Sequence, residues 1–480
     1  MSKTNKQPHI LLITTDQQRY DALGINGNRI LETPNLDGLA ARGLNFSRCY
    51  ITCPVCIPAR RTLLSGLHPN THGLKHYEDG LEFDPPFTLP GILRGAGYQT
   101  QLVGKLHMHP MGKRYGFDHM VLSETPNWRP TSTWQHRNDY ARWLREQGVL
   151  DHPHFHGISG NGRAVYPWPM QERLHHNNWL AREAAQFLTE DRDPTSPFFL
   201  HLSFTHPHPP LVPTRSYLER YERKEMPGPT LGDWAPKDGE TIGIPLDSAC
   251  GPFDPDIIKR AQAGYYALIN HIDDCVAHVL ERWMEYGNPR RNEPLYILFS
   301  SDHGEMLGDH HLFRKSLAYE GSTHVPFFIS GFNVDLERGE SDALCCWEDI
   351  LPTIAELAGV EVPGPVDGHS LAPAAKGASL PQRDSVYGLC GKNHFVVADN
   401  YKYIWHAATG EEQVFDLKAD PMEKQDLSSD EQILDRLRHF MRSHLDAEDR
   451  TNHADGPLLP CRNAPPNSLF GDGSAGPPPT

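Results

Sequence analysis

Three apolar runs along the chain end in polar residues. Residues 9–15, 198–204 and 295–301 are almost continuously apolar, which is typical of strands buried on both faces of a parallel sheet. Asp16 directly follows the first run, and Asp302 and His303 follow the third. Since open α/β sheets place their sites at the carboxyl ends of strands, we expect these side chains to meet at one sheet edge, as in a metal site.

Strand, loop and helix signals alternate to about residue 370. This alternation predicts an α/β fold with a large, mainly parallel sheet sandwiched by helices. Residues 257–283 have apolar side chains at helical spacing and predict a long amphipathic helix packed on the sheet. We interpret Asp273 and Asp274, inside this helix, as structural residues.

Two segments depart from this pattern. The insert at residues 118–176 is rich in tryptophan and histidine, and it is either a pocket wall for a sugar or compact organic ligand or an ordinary surface excursion with a small helix at 139–147. The tail at residues 451–480 is rich in proline and glycine. We expect a flexible tail, or an arm that crosses to a neighbouring subunit of a homo-oligomer.

Composition excludes several function classes. The 480-residue chain carries a net charge of −16, which argues against a nucleic-acid partner because phosphate binding needs a basic surface. No run approaches the roughly eighteen apolar residues of a membrane span. The first strand follows the start closely, so we expect no secretory signal and a cytoplasmic location. Nine cysteines without a framework also favour a reducing compartment.

One cysteine stands in a specific frame. The residues from Cys56 to Arg60 read Cys-Ile-Pro-Ala-Arg, and Gly66 follows six residues later. We expect a helix to begin near Pro58, which puts Cys56 at a helix N-terminus that favours anions. Arg60, one turn on, points back to the same place. Cys53 is a weaker candidate, because no arginine stands four residues beyond it.

This frame resembles the signature of the type I sulfatases of the alkaline phosphatase superfamily, in which the cysteine is oxidised to formylglycine. A thiolate is a soft nucleophile, whereas a hydrated aldehyde offers one hydroxyl to attack sulfur and another to expel sulfate. The resemblance implies that residue 56 is this nucleophile and that Arg60 holds it. It covers about residues 8–445 and implies a catalytic domain at 1–370 and a smaller α+β subdomain with an antiparallel sheet at 371–450.

The resemblance also implies one divalent metal. Its ligands would be Asp16, Gln17, Asp302 and His303 together with Cys56 in its oxidised form. Many sulfatases carry Asp-Asp and Asp-Asn at the two strand ends, so this chain departs at Gln17 and His303. Ca²⁺ is the metal that the family implies, with Mg²⁺ and Mn²⁺ as alternatives. Ca²⁺ and Mg²⁺ prefer oxygen ligands, whereas the imidazole of His303 suits Mn²⁺, Zn²⁺ or Fe²⁺ better.

Four further residues match family motifs that contact the sulfate. Lys105 and His107 stand in a Gly-Lys-x-His sequence, His208 in a Pro-His-x-Pro turn, and Lys315 in the run after Gly308. The resemblance implies that Lys105, His208 and Lys315 hold the sulfate oxygens. His107 would take the proton from the second hydroxyl of formylglycine. Either His208 or Lys315 would protonate the departing alcohol, and the sequence leaves this choice open.

We therefore expect a sulfuric ester hydrolase that acts on a small sugar, aryl or alkyl sulfate and depends on a formylglycine-generating maturation enzyme. The alternative is a phosphonate monoester or phosphodiester hydrolase on the same scaffold. Asp16-Gln17 and Asp302-His303 resemble that class, whereas Lys105 and His107 favour sulfate. A third class is a binding protein in which Cys56 is never oxidised.

Overall fold

The structure is a computed structural model that describes residues 7–124, 138–149, 159–235, 249–288 and 292–445, together with Leu458. Within these ranges no helix is both long and apolar enough to cross a bilayer. The eight cysteines that these ranges contain are all free thiols. The cytoplasmic location stays a prediction.

The main sheet has eight strands in the described part of the chain. In order across the sheet they are β5 (His119–Leu122), β4 (Gln99–Gly104), β6 (Phe198–Pro207), β1 (His9–Asp16), β7 (Leu295–Ser301), β8 (Phe327–Phe332), β2 (Leu44–Phe46) and β9 (Gly339–Ser341). The first five strands are parallel, and β8 runs antiparallel to both of its neighbours. The predicted mainly parallel sheet is therefore confirmed, with β1 at its centre.

Helices cover both faces of this sheet. The α-helices in the described part of the chain are α1 (Pro34–Ala40), α2 (Cys56–Ser65), α3 (Pro69–His72), α4 (Leu89–Gly95), α5 (Asp139–Glu146), α6 (His176–Gln186), α7 (Arg215–Glu222), α8 (Pro255–Arg282), α9 (Glu320–Thr323), α10 (Ile350–Ala358), α11 (Ala372–Ala375) and α12 (Glu431–His444), the last of which packs on the second sheet. Alternate residues of β1 pack on opposite faces of the sheet. Ile10 and Leu12 share a core cluster with residues of α2, α4 and α10, whereas Leu11 and Ile13 share one with α6 and α8. The apolar run of β1 is continuous because both faces of the strand are buried.

The long helix predicted at 257–283 is α8. Its apolar residues, among them Ile272 and Val276, pack on the sheet as the helical spacing predicts. Asp273 has a structural role, as predicted: its carboxylate accepts hydrogen bonds from the main-chain N–H groups of Asn35 at 3.2 Å and Leu36 at 2.7 Å. The side chain thus supplies an acceptor to the first turn of α1, where N–H groups have no partner within the helix.

A second, antiparallel sheet follows towards the C-terminus. Its strands are β11 (Ser385–Cys390), β12 (Asn393–Ala398), β13 (Tyr401–His406) and β14 (Glu411–Asp416). One face packs against Leu437 and Met441 of α12, and the other packs through Ile404 against a cluster that includes Tyr319. The predicted C-terminal antiparallel sheet is confirmed. The boundary at residue 370 stays a prediction, and Ala372 of α11 packs in the core of the large sheet.

Two short strands, β3 (Cys49–Tyr50) and β10 (Cys345–Cys346), form a separate parallel pair. They place the segment that leads to Cys56 beside the segment that leads to α10. Cys345 and Cys346 are buried in two hydrophobic core clusters.

The predicted insert and tail lie partly outside the described residues. Trp128 and Trp134 of the insert and its histidine run fall there, whereas Trp143 and Trp168 pack on one face of the main sheet. The small helix predicted at 139–147 is α5. The pocket wall stays a prediction. Of the tail only Leu458 is described, and it packs in the cluster of α12.

We predict that Asp273→Ala lowers the free energy of unfolding by about 1–3 kcal/mol, because it leaves buried N–H groups of α1 without an acceptor. Urea denaturation of the variant, with the exposed Asp342→Ala as control, measures this loss. Equal stability of the two variants would contradict the structural role of Asp273.

Candidate active site

The site lies where β1 and β7 end side by side. Thr15 pairs with Ser301, so Asp16 and Asp302 leave the sheet at the same edge. The next residue, Gln17, has a φ of 73°, in the left-handed region. Its main-chain N–H donates to Asp302 Oδ1 at 3.1 Å, which ties the two strand ends together.

Four donor groups converge at this edge. Asp16, Cys56, Asp302 and His303 each offer one ligand atom, and these atoms all lie within 4.8 Å of one another. All four residues are buried. Two carboxylates, an imidazole and one further donor form a set that suits a divalent cation. Gln17 stays a predicted ligand, and its Oε1 accepts a hydrogen bond from Lys315 at 2.6 Å.

The imidazole of His303 is oriented for such a role. Its Nδ1 lies 3.0 Å from the carbonyl oxygen of Gly304, so Nδ1 carries a proton and Nε2 faces the cluster. Nε2 lies 3.1 Å from Cys56 Sγ and 3.5 Å from Asp16 Oδ1. A main-chain carbonyl next in sequence therefore fixes the tautomer that a metal ligand needs.

Helix α2 begins at Cys56, two residues earlier than the sequence predicts, so the thiol lies at the N-terminus itself. Although burial and the Asp16 carboxylate oppose ionisation, the pKa of the Cys56 thiol is lowered by the nearby positive charges of Lys105 and Lys315. A site that stabilises a thiolate at this position also stabilises an oxyanion there.

Cys53, the weaker candidate, has a different environment. It lies against Cys390 of β11, and burial raises the pKa of its thiol well above the usual value. A thiol of this kind is inert. The contrast between the two cysteines agrees with the sequence frame, which selects Cys56.

The guanidinium of Arg60 contacts both strand ends. Its Nε donates to Asp302 Oδ2 at 2.8 Å, and Nη1 donates to the carbonyl of Lys105 at 2.8 Å and to Ser203 Oγ at 2.9 Å. Its Nη2 lies 3.7 Å from Asp16 Oδ2 and has no hydrogen-bond partner among the described residues. One N–H donor of the guanidinium thus stays available beside the cluster.

Lys105 follows β4 and forms an ion pair with Asp16 Oδ2. Burial favours the neutral amine, but Asp16 and the Cys56 thiolate raise the pKa of Lys105, so it is an ammonium in the site. Each buried carboxylate of the strand ends therefore has its own cation: Lys105 for Asp16 and Arg60 for Asp302.

His107 stands two residues after Lys105 and lies close enough to the site for its charges to act on the imidazole. Burial, together with the charges of Lys105 and Arg60, holds the pKa of His107 well below its usual range, so its imidazole is neutral. The residue has a φ of 56°, and its buried Nδ1 has no hydrogen-bond partner in the described ranges. A neutral imidazole is able to accept a proton.

Lys315 and His208 form a hydrogen-bonded pair. Lys315 Nζ lies 2.6 Å from His208 Nε2 and donates at 2.6 Å to Gln17 Oε1. His208 Nδ1 lies 2.6 Å from the carbonyl oxygen of Pro209, so Nδ1 is the protonated nitrogen and Nε2 accepts from the ammonium. Burial and the charge of Lys315 hold the pKa of His208 well below its usual range.

Several supporting residues were not predicted from the sequence. Glu305 accepts from Gln17 Nε2 and sets the orientation of that amide. Tyr265 of α8 donates its hydroxyl to the carbonyl of Gln17 at 2.6 Å, and Ser203 holds Arg60. Glu305 could have been noticed, since it stands two residues after His303. Nothing in the local sequence marks Tyr265 or Ser203.

The comparisons with known proteins agree with this geometry. The family model described as Sulfatase matches residues 8–360 of the chain. The chain belongs to the sulfatase family. A second model, described as N-sulphoglucosamine sulphohydrolase, C-terminal, matches residues 308–450, which include the antiparallel sheet of this sulfatase.

Relatives of this sulfatase cover most of its length. An arylsulfatase of Clostridium perfringens (strain 13 / Type A) is 36 % identical, over 94 % of this chain and 97 % of that protein. A choline-sulfatase of Rhizobium meliloti (strain 1021) is 29 % identical, over 93 % of this chain and 88 % of that protein. The predicted family, within the alkaline phosphatase superfamily, and the predicted enzyme class, a sulfuric ester hydrolase, are confirmed.

A solved structure supports the fold. The crystal structure of phosphonate monoester hydrolase of Agrobacterium radiobacter matches with a TM-score of 0.75 at 22 % identity, covering 91 % of this sulfatase and 94 % of that chain. At this identity the likeness shows a shared fold and carries no argument about the substrate.

We predict that Asp16→Ala and Asp302→Ala each abolish metal binding, because a site with so few anions cannot lose a carboxylate and still compensate a divalent cation. His303→Asn should bind metal and shift its preference towards metals that favour oxygen. Elemental analysis of folded, purified protein measures both effects, with Asp342→Ala as the control. Unchanged metal content in both aspartate variants would show that the metal does not bind at this cluster.

Proposed function

We propose that this sulfatase hydrolyses a sulfate monoester through a formylglycine hydrate at position 56, with a divalent metal beside it. The observation that carries the proposal is the convergence of residue 56 with Asp16, Asp302 and His303 in one buried cluster. Sulfatases generally use formylglycine and a metal. In the structure the sulfur of Cys56 stands in for the oxygen that the hydrate would present.

The residues present fit a metal. Asp16, Asp302 and His303 would hold it together with residue 56, and Gln17 stays a predicted ligand whose Oε1 accepts here from Lys315. We propose Ca²⁺, with Mg²⁺ or Mn²⁺ as alternatives, since carboxylate oxygens dominate the set. Positive charge beside residue 56 lowers the pKa of its hydroxyl, which is the chemistry that a bound cation supplies.

On the nucleophile side, Arg60 and Lys105 supply the fixed charge. The free Nη2 of Arg60 lies next to the cluster and can donate to the oxygen on residue 56. Lys105, which is fully buried and pairs with Asp16, would supply positive charge for the sulfate ester. Preorganised charge of this kind is commonly a large part of catalysis, because it needs no reorganisation when charge develops.

On the leaving-group side, the hydrogen bonds favour Lys315 as the proton donor. The tautomer of His208 directs Nε2 towards Lys315 as an acceptor, so the proton shared by this pair belongs to the ammonium. Lys315 would give its proton to the alcohol oxygen when the S–O bond breaks. His208 would then keep Lys315 in place. We therefore propose Lys315 as the acid, a choice that the sequence leaves open.

His107 is proposed as the base that restores the active site. Its neutral imidazole would take the proton of the remaining hydroxyl on residue 56, and sulfate would leave as the aldehyde forms again. The substrate class that we propose is a small aryl, alkyl or sugar sulfate, and the arylsulfatase relative makes an aryl sulfate the first choice of probe.

A second candidate is the phosphonate monoester or phosphodiester hydrolase. Gln17 and His303 favour it, because these residues resemble that class at the two strand ends. Lys105 and His107 favour the sulfatase activity. Both lie in the site, where Lys105 pairs with Asp16, and we therefore keep sulfate hydrolysis as the main proposal.

We predict that activity requires the oxidation of Cys56. The side chain is buried in the folded chain, so the maturation enzyme has to act before folding is complete. After co-expression with a formylglycine-generating enzyme, peptide mass spectrometry should show a loss of roughly 18 Da at this residue, the change from a thiol to the aldehyde of the activated nucleophile. Cys56→Ala protein is the inactive control. Full turnover by homogeneous unmodified protein would refute the mechanism.

We also predict that His107→Ala enzyme reacts once and retains sulfate. The first half-reaction does not need this base, whereas its removal should slow the second by about 10²–10⁴-fold. Intact-mass spectrometry of the converted variant mixed with an aryl sulfate should detect the added mass. Unimpaired turnover without added mass would exclude His107 from this role.

A further inference from the structure

Glu124 is a buried carboxylate beside the site that the mechanism above does not use. It follows β5, whose Leu122 pairs with Gly104 at the end of β4, and the parallel pairing brings it next to the segment of Lys105 and His107. Only 9 % of its surface is exposed. Its negative charge is close enough to Arg60 to help raise the pKa of that guanidinium, after the larger effects of burial, which opposes this, and of Asp302 and Asp16.

Glu124 binds the main chain that leads to the proposed base. One carboxylate oxygen accepts from the N–H of Leu106 at 3.2 Å, and both oxygens accept from the N–H of His107 at 3.0 Å. Two consecutive N–H groups are therefore held by one side chain. Burial raises the pKa of Glu124, whereas the N–H of His107 and the positive charge of Lys105 lower it. In its ionised form the carboxylate makes hydrogen bonds roughly twice as strong as those between neutral groups.

The residue so held has an unusual backbone. His107 has a φ of 56°, in the left-handed region that residues with a side chain adopt only in a small fraction of cases. Its Nδ1, where a catalytic histidine is usually oriented, has no hydrogen-bond partner among the described residues. The ring has an edge-on contact with Tyr77, at 6.3 Å between ring centroids. With no hydrogen bond at Nδ1, the direction of the imidazole depends on this packing and on the main chain, and the main chain is held by Glu124.

We propose that Glu124 is a positioning residue, whose carboxylate fixes the left-handed conformation of His107 and so aims the imidazole at residue 56. The inference rests on the proposed function. In the second half-reaction the bond between the residue 56 side-chain carbon and the sulfate oxygen breaks, and its electron pair leaves with sulfate. The proton of the remaining hydroxyl passes to His107, and the O–H electrons form the C=O bond of the aldehyde.

The test is Glu124→Gln in enzyme whose Cys56 conversion has been measured. Glutamine keeps the size of the side chain but turns one acceptor into an NH₂ group that faces the N–H of His107. With 4-nitrophenyl sulfate we expect kcat to fall on the order of 10²-fold, the effect of a misplaced catalytic group. A burst of one nitrophenolate per converted site should precede the slow phase, and intact mass should show retained sulfate. Glu361→Gln, on the exposed surface, is the control.

Two further measurements separate positioning from general support of the fold. The double variant Glu124→Gln/His107→Ala should be no slower than His107→Ala alone, since Glu124 acts through His107. A crystal structure of the unconverted Glu124→Gln protein should show His107 outside the left-handed region. If this variant does not fold, Glu124→Asp replaces it, with the same burst expected.

The outcomes distinguish this inference from the proposed function. If His107→Ala retains sulfate and Glu124→Gln shows neither burst nor retained sulfate, the inference is wrong while the function stands. A structure in which His107 of the glutamine variant keeps its φ and imidazole position also overturns it. If the His107 variant itself turns over freely without retained sulfate, the proposed second half-reaction and the inference fall together.

Discussion

Two buried ion pairs at the ends of neighbouring strands determine how this site is built. Asp16 and Asp302 lie without solvent exposure at the carboxyl ends of two central strands, where an uncompensated carboxylate would be very unfavourable. Lys105 compensates the first and Arg60 the second. Removing one partner of such a pair typically costs about 3–5 kcal/mol. Three strands and helix α2 must therefore come together before either carboxylate can be buried.

This charge balance also prepares the site for its ligands. The charges of Lys105 and Arg60 are already balanced by the carboxylates of Asp16 and Asp302. A divalent metal would therefore bring positive charge in excess. An oxyanion on residue 56 and a singly charged sulfate ester would offset that excess. Lys315 adds a further ammonium next to His208, where we propose that the alcohol leaves. The arrangement thus suits an anion that acquires charge at two places during the reaction.

Much of this could be predicted from the sequence, because the relevant signals are local. An apolar run followed by Asp16, and another followed by Asp302, fixes both the strands and the edge at which they end. The frame around Cys56 likewise predicts the start of a helix, two residues from its observed start. The antiparallel sheet was expected only from the family resemblance, since its short strands carry weak patterns of their own.

What the sequence did not predict depends on contacts between distant segments. Ser203, Tyr265 and Glu124 reach the site through packing of β6, α8 and β5, and no periodicity marks an individual hydroxyl or carboxylate for such a contact. The side chain of Gln17 is a similar case. Its position after Asp16 suggests a metal ligand, whereas its amide lies between Lys315 and Glu305.

The central claim is that oxidised residue 56 transfers a sulfuryl group. The most direct measurement is kcat/KM for an aryl sulfate, a phosphodiester and an aryl phosphonate monoester on preparations that differ in their measured Cys56 conversion. We expect the aryl sulfate to be the best of the three substrates and its rate to be proportional to the converted fraction. A preference for the phosphonate ester, or a sulfate rate that does not depend on conversion, would contradict the account.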